Sequence, residues 1–239
     1  MIGVRGTKNK AVHMGQVQPF KRQVVDMARL LCEQAYFKGT GGNLSVRVPG
    51  QEALAITPSN TDYNHMSADD VCVLDWQMNV LEGAMKPSIE SGMHAAVYQA
   101  RADVNVVIHT HQVYASALAL IDTPIPALYD EQVRYLGRSV EVVPYAPSGT
   151  GFLKKNVRSR VRNGHNAYIL KNHGALVLGT DAERAVHNLY LLDKCAWAYL
   201  LALCTERRVS RIPLAIREIA FAKLRRDEKK FAKHNREKS

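Results

Sequence analysis

The chain has 239 residues, a formal net charge of +10 and 46 % hydrophobic residues. That is enough chain for one large domain with a substantial core, and the apolar fraction is ordinary for a globular protein. No apolar run approaches the roughly 20 residues needed to span a bilayer, and the first 18 residues lack the apolar centre of a secretory signal. The four cysteines, Cys32, Cys72, Cys195 and Cys204, form no C-x-x-C pair and sit among apolar neighbours. That usage predicts buried thiols in a reduced, cytoplasmic setting.

The predicted organisation is a flexible arm over 1–18, a folded domain over 19–222 and a basic tail over 223–239. Residues 206–239 carry 12 Lys/Arg against 5 Asp/Glu, a net +7. Such an excess can serve nucleic acid or an anionic surface. Here acids are interspersed and no aromatics alternate with the bases, so a solvated helix with a frayed end is the simpler expectation.

In chain order, the apolar stripe between Pro19 and Phe37 predicts a helix ended at Gly39. Gly41-Gly42-Asn43 leads into a short strand, Leu44 to Val48, with a hairpin partner from Glu52 to Ile56. One helical turn at 66–70 precedes a strand from Val71 to Asp75. Ser88 is the expected N-cap of a helix reaching about Ala100. Val104 to His109 reads as a buried strand, 112–120 as a helix, 140–144 as a strand and 152–163 as a basic helix. Two strands, 167–170 and 175–178, flank Asn172-His173-Gly174. Asp181 caps a long helix to about Cys204, and Pro213 opens the last one. This order lacks steady strand–helix alternation and predicts an α/β fold with a mostly antiparallel sheet and helices around it.

The sharpest local feature is Val-Val-Ile-His-Thr-His at 106–111. Residues two apart on a strand share a face, about 6.6 Å between Cα atoms, so His109 and His111 can reach one ion. His173, after a second apolar strand, supplies the third ligand of a catalytic site with one position open. Three neutral imidazoles leave the dication's charge uncompensated, which suits a developing enolate or alkoxide oxygen. Glu90 is either a favourable acid in a helix's first turn or, beside the metal, a general base. His94, one turn further along, is expected to pack or to support the site. His13, His65, His165, His187 and His234 read as surface or local structure. The loops Gly41-Gly42-Asn43 and Thr57-Pro58-Ser59-Asn60 carry donors suited to phosphate oxygens. Residues 146–151 look similar in composition but read as a plain connection.

Taken together, Gly-Gly-Asn-Leu-Ser-Val-Arg (41–47), Ile-Thr-Pro-Ser (56–59), Pro-Ser-Ile-Glu (87–90), His-Thr-His (109–111) and Asn-His-Gly (172–174) resemble the class II aldolase/adducin family, from about Phe20 to Leu203. The resemblance implies a single αβα domain and a cyclic homotetramer with sites between subunits. It implies that His109, His111 and His173 hold a divalent ion, zinc first and manganese or another ion as alternatives, and that Glu90 is the catalytic acid/base. It places Gly42, Asn43, Ser59, Asn60 and Ser88 at the substrate phosphate.

Three departures bear on the substrate. Ile89 stands where the sugar-phosphate enzymes have a second Ser, Asn60 where they have Gly, and Asp130 where an aldolase places a Tyr from the neighbouring subunit. Tyr129, Asp130 and Glu131 are therefore candidate substrate contacts. The expected activity is a metal-dependent lyase cleaving a C–C bond of a small phosphorylated sugar or hydroxy-ketone through a metal-stabilised enediolate. A decarboxylase of hydroxy- or oxo-acids, and a sugar-phosphate epimerase or dehydratase, use the same scaffold. Retention of the histidines argues against a non-catalytic assembly module, and no membrane or nucleic-acid partner is expected.

Overall fold

The computed structural model describes residues 14–39 and 41–237. Its centre is an eight-stranded sheet: β1 (Asn43–Val48), β2 (Ala53–Ile56), β3 (Cys72–Asp75), β4 (Val80–Glu82), β5 (Val106–Thr110), β6 (Glu141–Val143), β7 (Ala167–Leu170) and β8 (Gly174–Gly179). The spatial order is β4-β3-β2-β1-β5-β8-β7-β6. Every neighbouring pair is antiparallel except β6 with β7.

Strand side chains alternate faces, and the sequence uses that period without interruption through the sheet's middle. Val106 and Ile108 of β5, with Ala175 and Val177 of β8, join one apolar layer. Val107, Leu176 and Leu178 join the other. The first layer is closed by α1 (Met14–Glu33), α3 (Val113–Leu120) and α6 (Ala182–Cys204). The second is closed by α2 (Ser91–Ala100) and α5 (Gly151–Arg160). Both faces of the central strands are therefore sealed, which is why they read as continuous apolar runs. Two further helices, α4 (Asp130–Tyr135) and α7 (Leu214–Glu237), pack together at one side through Val133, Phe221 and Leu224. No helix among the described residues is long and apolar enough to cross a membrane.

Five elements differ from expectation. Helix α1 starts at Met14, with Pro19 inside it, so residues 14–18 are helix and not arm. Val17 is fully buried, and its packing anchors the extra turn. The remainder of the arm, with His13, lies outside the described residues. Ser88 does not cap α2: Glu90 occupies the N-cap position and the helix begins at Ser91. Strand β4 went unread because its residues are exposed on a sheet edge, and α4 because six residues carry too little periodicity. Helix α7 crosses the predicted start of the tail without a break, pinned by buried Leu224 and Glu228.

Candidate metal centre and active site

The register of the central strands assembles the site. Asn43 on β1 lies opposite His109 on β5, and Thr110 lies opposite Ala175 on β8. His109 belongs to the face covered by α2, which carries Glu90 at its N-cap and His94 one turn on. Strand β5 ends at Thr110, one residue before His111, yet the two rings still converge. His109 and His111 bring their Nε2 atoms to 3.0 Å, and ligand atoms of His109, His111 and His173 all lie within 4.8 Å of one another. Backbone makes room for this approach at two glycines. A Cβ on Gly174 would stand 2.4 Å from the Thr110 carbonyl oxygen and 2.8 Å from the His111 ring. A Cβ on Gly42, at φ +87°, would stand 2.5 Å from the Phe37 ring.

The tautomer of His109 is set by its surroundings. Its Nδ1 donates to the Ala175 carbonyl at 2.9 Å, which leaves Nε2 bare and turned toward Glu90. That is the outer-sphere bond typical of metal-ligating imidazoles. Glu90 sits between the rings, with Oε2 3.3 Å from His109 Nε2 and Oε1 3.2 Å from His173 Nε2. Burial pushes the His109 imidazole down to about 4 in spite of Glu90 beside it. Burial lowers His173 as well. Burial works to raise Glu90, but His109, the Asn43 amide and His173 outweigh it and hold the carboxyl below the ordinary range. Burial thus favours the neutral form of His109 and His173 beside an ionised Glu90.

Several polar atoms here are buried with no hydrogen bond: Glu90 Oε1, Asn43 Oδ1 and His173 Nδ1. Converging lone pairs and unsatisfied acceptors destabilise a site unless a cation joins them. The donor set, three imidazoles with a carboxylate alongside, fits a divalent ion of the zinc or manganese kind.

Beside the imidazoles lies a cavity of about 160 Å³, lined by Gly42, Asn43, Ser59, Asn60, Ser88, Glu90 and His173, together with Tyr63, Ile89 and Ser148. The structure thus brings together the residues expected around a phosphate. Asn60 has φ +53°, a left-handed conformation that Asn tolerates where Gly is the usual choice. Asn43 also has a partner within the chain: its Nδ2 donates to Glu90 Oε2 at 2.8 Å, so its amide orients the carboxylate. Ser88 Oγ accepts from the Glu90 backbone N–H at 3.3 Å.

Tyr129, Asp130 and Glu131 do not join this cavity within the chain. They lie at the start of α4, where Glu131 pairs with Lys194 at 3.3 Å and the Lys194 ammonium stands over the Tyr129 ring. His94 is fully buried, its Nδ1 2.7 Å from Ser45 Oγ, and burial drives it down to about 3. Two cavity residues escaped the sequence. Tyr63, which donates to the Gly42 carbonyl at 2.9 Å, has no sequence signal. Ser148 had one, the donor-rich composition of 146–151, read as a plain connection.

The comparisons agree with this geometry. Residues 22–200 match the family model described as Class II Aldolase and Adducin N-terminal domain. The chain is 31 % identical over 172 residues to "L-fuculose phosphate aldolase" of Methanococcus maripaludis strain C5, covering 72 % of this chain and 91 % of the relative. It is 30 % identical over 186 residues to "5-deoxy-D-ribulose 1-phosphate aldolase" of Bacillus thuringiensis serovar kurstaki, covering 77 % and 85 %. Among solved structures, "L-fuculose 1-phosphate aldolase" superposes with a TM-score of 0.81 at 33 % identity, over 87 % of this chain and 96 % of that one. With a family model over most of its length and these relatives, the chain belongs to the class II aldolase and adducin family.

Proposed function

We propose that this protein is a metal-dependent carbon–carbon lyase that cleaves a small phosphorylated hydroxy-ketone by retro-aldol chemistry. The observation that carries the reading is the junction of three converging imidazoles and Glu90 with a donor-lined cavity. His109, His111 and His173 would hold the ion, zinc in the first instance. When bound, it supplies the positive charge against which an enediolate can form. Glu90, buried and ionised, is placed to move the proton on the carbon where the bond forms and breaks. Asn43 holds the carboxylate in that orientation through its 2.8 Å hydrogen bond. Gly42, Ser59, Asn60 and Ser88 would receive phosphate oxygens, with hydroxyls and backbone amides as donors.

In this reading the protein works as a homotetramer in the cytoplasm, and Tyr129, Asp130 and Glu131 reach the site of a neighbouring copy. Their position away from their own chain's imidazoles supports that arrangement. Sedimentation of the purified protein as a monomer would remove it.

Ile89, 60 % exposed and lining the cavity, adds an apolar contact and favours decarboxylation of a hydroxy- or oxo-acid as the second reading. The two separate in one experiment. Metal-loaded protein is incubated with dihydroxyacetone phosphate in D₂O, and the hydroxymethylene protons are followed by NMR. Exchange of one proton, lost in Glu90→Gln with metal still bound, is the expected outcome. No exchange by the metal-loaded wild type, with CO₂ released from hydroxy- or oxo-acids, would replace the lyase reading by the second.

A further inference from the structure

Ser148 stands in the loop between β6 and α5, a segment with no role in the chemistry above. Its side chain lines the cavity, and its Oγ lies 3.3 Å from His173 Nε2. The loop is held by its own bonds: Thr150 Oγ1 donates to the Pro147 carbonyl at 2.7 Å and accepts from the Leu153 N–H at 3.4 Å, capping α5. The hydroxyl is thus positioned by backbone at the edge of the metal centre.

The partner of that hydroxyl is the ring nitrogen turned toward Glu90. A nitrogen whose lone pair is given to a metal ion cannot also accept a hydrogen bond. In the loaded site the Ser148 hydroxyl is therefore released, a donor and acceptor facing the cavity beside a ligand of the ion. In the lyase reading, on which this argument rests, the ketone half of the substrate is occupied already. Its oxygens would be held at the ion by His109, His111 and His173, and its phosphate at Ser59, Asn60 and Ser88. What remains for a hydroxyl beside His173 is the other half.

We propose that Ser148 is a specificity-determining residue that hydrogen-bonds a hydroxyl on the aldehyde half of the substrate, next to the bond that forms and breaks. It selects hydroxylated aldehydes over apolar ones of the same length.

The test compares glycolaldehyde with acetaldehyde as acceptors for dihydroxyacetone phosphate in the metal-loaded wild type, Ser148→Ala and Ser148→Thr. The wild type prefers glycolaldehyde in kcat/KM. Ser148→Ala loses about tenfold of that preference, the worth of one hydrogen bond, chiefly through the KM for glycolaldehyde. Ser148→Thr, which keeps the hydroxyl, restores part of it. Zinc affinity, measured separately by competition with a chelating dye, is no weaker in Ser148→Ala than in the wild type. An unchanged preference in Ser148→Ala, or an equal loss on both aldehydes, overturns the assignment. So does zinc binding tenfold weaker in that variant, which would make the hydroxyl a support for His173. Absence of deuterium exchange into dihydroxyacetone phosphate by the wild type overturns the lyase reading itself, and this assignment with it.

Discussion

Arg101, Asp103, Arg225 and Glu228 form one cluster of buried or half-buried charges beside the sheet; His109, His111, His173 and Glu90 form another. In the first, every charge meets its opposite. Arg101 makes a bidentate pair with Asp103, both bonds 2.8 Å, and donates to the carbonyls of His165 and Val161 and to Asn166 Oδ1. Arg225 bonds Asp103 and Glu228, and Asn166 donates to Glu228. No member of this network is a buried polar atom without a partner among the described residues. In the second cluster Glu90 and His173 each keep one, and so does Asn43, which bonds Glu90. The comparison teaches where to look for function. A network complete in itself holds α7 to the domain, while an incomplete one is arranged for something that arrives later.

Breaking the incomplete cluster should have the largest effect, and on activity. His109→Ala removes the ring that Ala175 orients and with it the bare Nε2; bound metal, measured by elemental analysis, should fall to near zero. Turnover should fall by at least about a thousandfold, given the several kcal/mol a Lewis acid contributes. Full metal content in that variant would end the assignment of the centre.

Breaking the complete cluster should act on stability. Arg101→Met leaves Asp103 and Glu228 short of a positive partner in a buried setting. Urea unfolding should show a loss of about 3–5 kcal/mol, with normal metal content in the fraction that stays folded. A neutral result would mean that Arg225 alone compensates both carboxylates.

Acid sharpens the contrast. His165 lies against the network, and burial, with Arg138, Arg101 and Arg225 nearby, pushes it down to about 4 against the pull of Glu141. The unfolded chain therefore takes up a proton below about pH 6.5 that the folded chain refuses. Stability should fall as pH drops from about 6.5 to about 4, by on the order of 3 kcal/mol from this residue. Asp103 is held well below the usual carboxylate range by Arg101 and Arg225, which outweigh burial, so its contribution is lost only below about pH 4. Glu228, raised by burial, works the other way and relieves part of the loss on acidification. His165→Gln should flatten the profile between pH 4 and 6.5 in thermal melts; an unchanged profile would exclude His165 as its source.

The smallest effect is expected from a single hydrogen bond inside the incomplete cluster. Asn43→Ala removes one hydrogen bond to an ionised group, worth about 1.5–3 kcal/mol. A loss of about 10- to 100-fold in kcat, with metal retained, is the expected signature. A rise in KM alone would assign Asn43 to substrate phosphate instead.

Much of this protein was legible in its sequence, and the reason is local. Continuous apolar runs at 104–109 and 175–178 announce strands sealed on both faces, and His-Thr-His and Asn-His-Gly announce ligands because chain neighbours stay neighbours in space. The arrangement of the five motifs carried the family for the same reason. What the sequence by itself determined was seven of the eight strands and where the three imidazoles, Glu90 and the two donor loops stand along the chain.

Only the tertiary structure decided how those pieces act on each other. Antiparallel pairing of β1 with β5 put Asn43 opposite His109 and gave the amide expected at the phosphate a hydrogen bond to Glu90. The packing of the 146–150 loop placed Ser148 at His173, across 25 residues of chain. The same folding pinned α7 through Glu228 to Arg101, although charge counting had read the tail as solvated. These are contacts between side chains far apart in sequence. No local propensity encodes them, because their geometry is set by register and by which helix closes which face of the sheet.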